Sequence, residues 1–144
     1  MTTPITTPMA HRATGPFDVT LKPQAESEGV SDAAIGRMSL DKVFHGELQG
    51  ASKGQMLGVR TGVKGSAGYV AMERVVGTLA GRTGAFVLQH SSTMNRGEAR
   101  QSITVVPDSG TDGLLGLAGS MTIEIIEGKH FYKFEYGFEG AAKA

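Results

Sequence analysis

Residues 119–138 read GSMTIEIIEGKHFYKFEYGF. Two runs of alternating residues flank Glu127-Gly128, a pair with the composition of a two-residue hairpin turn. Pairing across that turn sets Ile125 against His130, Ile123 against Tyr132, Met121 against Phe134 and Gly119 against Tyr136. All eight then share one face, which is apolar and aromatic. The other face carries Thr122, Glu124, Lys129, Lys133 and Glu135, with Ile126 and Phe131 as exceptions. A period of two with one wet side predicts an antiparallel pair lying on a core.

The same rhythm extends upstream. Short β-rich runs punctuated by glycine cover Pro16–Leu21, Arg37–Leu48, Gln55–Thr61, Ser66–Ala80, Gly84–Thr93 and Ala99–Val106, followed by Gly119–Ile126 and Lys129–Phe138. No window carries a comparable stripe of helical period, and most connections are too short for helical crossovers. Eight strands in an open meander would expose two edges, so the all-β reading is a single closed antiparallel eight-stranded barrel. A two-sheet sandwich is the rival. The domain spans 16–139, between an N-terminal tail over 1–15 and a short C-terminal tail over 140–144. Between Pro23 and Gly36 a polar, acidic stretch suits either a loop or one turn of helix.

Composition narrows the function classes. The 144 residues hold 14 Lys plus Arg against 14 Asp plus Glu, and this balance argues against a general nucleic-acid binder. Cysteine is absent, which excludes disulfides, thiolate metal sites and a cysteine nucleophile. The 21 glycines, about twice the usual share, fit many turns and little helix. No signal-like segment and no membrane-length apolar run appear, so a cytoplasmic protein without membrane contact is expected.

The central hairpin carries the candidate chemistry. With Gly81-Arg82 at its turn, Glu73 falls opposite His90, Val75 opposite Leu88 and Gly77 opposite Phe86, with Tyr69, Ala71 and Ser92 on the same face. Cross-strand neighbours stand about 5 Å apart at Cβ, within hydrogen-bonding reach. A carboxylate inside a barrel needs a partner to remain charged, and imidazole supplies one. Glu73 and His90 are therefore the candidate catalytic pair, able to move protons near neutral pH. A structural ion pair is the plainer reading of the same two residues. Tyr69, Ser92, Met121, His130, Tyr132, Phe134 and Tyr136 are the candidate ligand-binding residues, and ordinary core packing explains the aromatics equally well. The opposite face of this hairpin (Val70, Met72, Arg74, Val76, Val87, Gln89) is not plainly polar, and a covered outer face points to a homo-oligomer.

Other motifs are weaker. His11, His45, His90 and His130 show no HxH or HExxH spacing, so no metal or other cofactor is expected. Asp108-Ser109-Gly110-Thr111 has the wording of an aspartic-peptidase loop, but one copy lacks the second carboxylate that chemistry needs, and Asp-Ser-Gly is a common turn. The Gly-rich pieces Gly110–Gly113 and Gly116–Gly119 lack the order of a phosphate loop. Met56, Met72, Met94 and Met121 suit an adaptable apolar lining or a plain core.

Three long phrases carry a family resemblance: residues 65–97 (GSAGYVAMERVVGTLAGRTGAFVLQHSSTMNRG), 105–125 (VVPDSGTDGLLGLAGSMTIEI) and 128–136 (GKHFYKFEY). Together with Phe17-Asp-Val and Leu40–Gly46, they resemble the bacterial domain-of-unknown-function family numbered 3224 over nearly the whole chain. One departure is Ser91-Ser92-Thr93, where Ser-Gly-Thr is expected. The resemblance implies a barrel similar to that of allene oxide cyclase, also used by dirigent proteins. Those relatives guide ring closure or radical coupling of apolar small molecules, often as trimers. The likeness is one of fold, so no catalytic residue is carried over. The leading expectation is a barrel that binds an apolar or amphipathic small molecule in its interior, with cofactor-independent isomerisation or cyclisation as its catalytic form. The alternative is a side-chain-filled barrel serving as a structural or interaction scaffold. An aspartic-type peptidase using Asp108 stands a distant third.

Overall fold

The hairpin at Glu127-Gly128 forms in the register its alternation predicts: Ile125↔His130, Ile123↔Tyr132, Met121↔Phe134 and Gly119↔Tyr136 are all paired. The structure, a computed structural model, describes residues 11–24 and 35–139. Its strands are β1 (His11–Pro23), β2 (Ile35–Phe44), β3 (Leu48–Arg60), β4 (Ala67–Leu79), β5 (Arg82–Asn95), β6 (Glu98–Val105), β7 (Leu117–Ile126) and β8 (Lys129–Phe138). Each pairs antiparallel with the next, and β8 returns to β1, so the sheet closes. A closed, strongly twisted meander leaves no free edge, which removes the sandwich alternative. Among the described residues the helical content is one 3-10 turn, Asp112–Leu114, and no helix is long and apolar enough to cross a membrane.

Several expectations are corrected. β1 begins at His11, so His11–Gly15 is barrel wall, paired with Tyr132–Tyr136, and no tail. The inward positions there are His11, Ala13 and Gly15, with no large apolar residue among them, yet Ala13 is fully buried. Leu48 opens β3 and does not end β2, and β3 reaches back across Gly50, Ser52 and Gly54. Glycine made that half resemble a loop. In the barrel it serves close approach: a Cβ on Gly54 would overlap the Met72 carbonyl and come within 2.8 Å of Glu73 Cβ. The acidic stretch after Pro23 falls largely on 25–34, outside the described residues, as do 1–10 and 140–144.

The β4–β5 turn is Ala80-Gly81, not Gly81-Arg82. Both residues have positive φ (51° and 78°), as do Arg96-Gly97 and Glu127-Gly128 at the other two tight hairpins. All three have a Gly at the second position, where the turn that matches strand twist demands a left-handed residue. The shift makes Leu88 the partner of Glu73 and Ala71 the partner of His90. Because it moves the pairing by two residues, the faces do not exchange.

The two ends of the barrel differ. At one end Leu48, Leu79, Leu114 and Leu117 are sealed and pack into a cluster with Phe44, Phe86, Tyr132 and Phe134. The 3-10 turn brings Leu114 across this end. Ser109 and Thr111 secure the incoming loop, their hydroxyls accepting the Val87 and Ala85 N–H groups at 3.0 and 3.1 Å. The Asp-Ser-Gly-Thr wording is thus the stitch of a loop to β5, with Asp108 itself exposed. At the other end the inward-facing side chains emerge: Val19, Met38, Met56 and Ile123 are half-buried, and Ile125 is 64% exposed. On the outside, Val43, Leu57, Val70, Met72 and Val76 stay exposed on β2–β4.

Candidate functional site

Between the sealed half and the open end lies a polar cluster drawn from four consecutive strands. On β2 the inward positions alternate Leu40, Lys42, Phe44; β3 contributes Ser52, β4 Glu73 and β5 His90. All four polar side chains are buried, Glu73 to 1%. Its Oε1 accepts hydrogen bonds from Lys42 Nζ at 2.9 Å and His90 Nε2 at 2.6 Å, and its Oε2 accepts from Ser52 Oγ at 2.5 Å. The Lys42 ammonium also lies 5.0 Å from the centre of the Phe17 ring and 5.8 Å from that of Phe44, so aromatic faces replace part of its hydration.

Burial pushes the Glu73 carboxyl upward. The His90 hydrogen bond, the Lys42 charge, the Ser52 hydroxyl and the charge of the His90 ring together outweigh it and hold the group at about 2. Glu73 is therefore an anion deep in the barrel, compensated by Lys42. Since a carboxylate only accepts, the 2.6 Å contact places the imidazole hydrogen on Nε2. The other ring nitrogen, Nδ1, has no hydrogen-bond partner among the described residues, and the His90 side chain as a whole is buried. A carboxylate that orients an imidazole while leaving its second nitrogen free is the geometry of a positioned base.

Sequence reasoning paired Glu73 with His90 on the wrong rung but on the right face, and the structure joins them diagonally. Tyr69 and Ser92 are cross-strand partners beside them on the open side, with the Tyr69 ring 6.4 Å from that of His90. Burial raises the Tyr69 phenol, the Ser92 hydroxyl opposes this and the Glu73 charge adds to it. The remaining expected ligand contacts lie elsewhere. Met121, Phe134 and Tyr136 are buried in the filled half. Tyr132 is committed to the backbone, donating to the His45 carbonyl at 2.6 Å and accepting from the Leu48 N–H at 2.9 Å. His130 is half-buried against Phe17, where it helps line an open notch of about 500 Å³ on the rim with Asp18, Val19 and His45. Lys42 and Ser52 were missed. Strand parity held the signal for Lys42, which shares the face of Leu40 and Phe44. Ser52 was hidden in the half of β3 that resembled a loop.

A family described as "Protein of unknown function (DUF3224)" matches the chain over residues 13–136. No curated protein matches it. A crystal structure at 1.84 Å resolution of a protein of unknown function from the same family, from Shewanella oneidensis MR-1, is 50% identical. That match covers 91% of this chain and 98% of the other, with a TM-score of 0.85.

Proposed function

The chain belongs to the DUF3224 family, and from the geometry of its barrel we propose that it binds an apolar or amphipathic small molecule at the open end of the interior. The observation that carries this reading is the buried Glu73–His90 hydrogen bond of 2.6 Å in a barrel whose open end carries half-buried inward apolar side chains, Val19, Met38, Met56 and Ile123. Binding sites of small molecules have this character: apolar walls with a few fixed polar groups. Its catalytic form is a cofactor-independent isomerisation or cyclisation. His90 takes a proton from one atom of the bound molecule and returns it to another, while Glu73 steadies the imidazolium formed in between. Glu73 is then a positioning residue, itself fixed by Lys42 and Ser52.

The neutral fluorophore N-phenyl-1-naphthylamine tests the binding reading. The folded chain is expected to take up one equivalent saturably, and Ala71→Phe, which places a ring beside His90, to abolish uptake. No saturable uptake, or uptake unchanged by Ala71→Phe, overturns it. The filled half, where Phe86 and Phe134 stack at 5.8 Å, favours the second reading of a solid scaffold, and absence of uptake would leave that reading standing.

A further inference from the structure

We propose that a notch at the sealed end of the barrel binds a primary ammonium group, with the Glu47 carboxylate, the Gln49 side chain and the Tyr136 phenol as its acceptors. The notch is a cavity of about 320 Å³ between the Gly46-Glu47 loop and the Ala80-Gly81 turn, bordered also by Gln49, Thr78 and Tyr136. It lies at the far end from the interior mouth and stands independently of what that mouth binds.

Tyr136 marks the notch as a site. The residue is 5% exposed, its ring packed against His11 and Phe134 at 5.3 Å and against Phe138 at 6.1 Å. Its hydroxyl makes no hydrogen bond with any described residue, whereas the Tyr132 hydroxyl on the same face is consumed by the backbone of His45 and Leu48. A phenol whose ring is committed to the core brings one polar atom to the notch it borders, and that atom needs a partner from there.

The charge of the ligand follows from Glu47. Its Oε1 accepts the Thr14 N–H at 3.1 Å, which ties the carboxylate to β1, and no cation among the described residues pairs with it. Burial raises the Tyr136 phenol, the Glu47 charge adds to the rise and Arg82 opposes it. Arg82 itself lies over the Phe138 ring at 4.2 Å, and the same end exposes Asp108, Asp112 and Glu139. An anionic head would be repelled by Glu47, and a neutral hydroxyl would leave that carboxylate uncompensated. An ammonium carries three N–H donors, which match Glu47 Oε2, the Gln49 side-chain carbonyl and the Tyr136 oxygen. Gly46, Ala80 and Gly81 put little bulk in the way of a short aliphatic body.

The test titrates the full chain at pH 7 with n-butylamine, n-butanol and butyrate, following the backbone amide signals by NMR. Butylamine is expected to saturate, with its shifts confined to 46–49, 78–81 and the neighbourhood of Tyr136. Butanol and butyrate are expected to bind at least about tenfold more weakly, the worth of one charge-assisted hydrogen bond at an open site. Glu47→Gln keeps an acceptor for Thr14 and should lower the amine affinity about tenfold. Tyr136→Phe should lower it about threefold with the urea midpoint unchanged, because the hydroxyl has no partner within the protein to lose; a merely structural tyrosine would do the reverse. Should Glu47→Gln not fold, Tyr136→Phe decides alone. Butylamine that fails to saturate, butanol that binds equally well, or an amine affinity indifferent to these substitutions overturns the proposal.

Discussion

Glu73→Gln deletes a charge while keeping the size of the side chain, so it isolates the ionic part of the buried cluster. In the native barrel the carboxyl is held at about 2, against 4.5 for a free glutamate. At about 1.4 kcal/mol for each tenfold change in proton affinity, that difference corresponds to about 3 kcal/mol of folding stability at neutral pH. The folded value is depressed. The contribution is therefore complete above the unfolded carboxyl's range near pH 4.5 and is lost as pH falls from there toward 2. In the variant, Lys42 is left buried opposite a neutral amide, and breaking one side of a buried pair costs about 3–5 kcal/mol. Urea unfolding followed by far-UV circular dichroism, at pH 7, 5 and 3, gives the stability gap between wild type and variant. The gap is expected at about 3–5 kcal/mol at pH 7 and to close by about 2 kcal/mol between pH 5 and pH 3. Other carboxylates titrate in both proteins and cancel. A gap that stays constant across that interval would refute the claim that Lys42, Ser52 and His90 hold Glu73 ionised.

Further outcomes follow from the same contacts. Lys42→Met combined with Glu73→Gln is expected to recover part of the loss of Glu73→Gln alone, because the unmatched ammonium is gone; equal or greater destabilisation in urea melts counts against a charge-compensated pair. Tyr132→Phe removes the hydroxyl that bridges His45 and Leu48 and should cost about 1–3 kcal/mol by chemical denaturation. All three tyrosines have phenols raised chiefly by burial. Absorbance at 295 nm should therefore show the folded chain lagging the urea-unfolded chain on titration through pH 10. Stability conferred by the raised phenols is lost as pH rises past 10, and coincident titration curves contradict their burial. Gly54→Ala drives a methyl into the Met72 carbonyl and is expected to prevent folding or cut stability by several kcal/mol; a near-native melt would mean β3 and β4 separate more easily than their packing implies.

The elements that the sequence reveals unaided are those whose signal is local. Alternation in 119–138 specifies strand, turn, register and buried face together, because a β-strand exchanges faces at every residue and Glu127-Gly128 suits one turn geometry. Eight such runs with short links leave closure as the way to satisfy both edges. Where glycine or small residues replace the alternating large ones, as at Ala13 and Gly15 or at Gly50 and Gly54, the local signal fades, and with it half of β3 and the start of β1. The turn at Ala80-Gly81 was legible by comparison with Arg96-Gly97 and Glu127-Gly128, each with its Gly in second place.

The site is only half legible for a different reason. Parity put Glu73 and His90 on one inner face, and a two-residue error in register cannot alter parity. What joined them to Lys42 and Ser52 was the curvature of a closed barrel, which carries inward side chains of four strands to one point although they lie 48 residues apart at the extremes. Filling was likewise a tertiary outcome. Tyr132 and Tyr69 alternate identically along their strands, yet the loop at His45–Leu48 consumes the hydroxyl of one while the other stands beside His90. Sequence spacing determines which face a residue occupies; the barrel's three-dimensional closure determines what waits there to meet it.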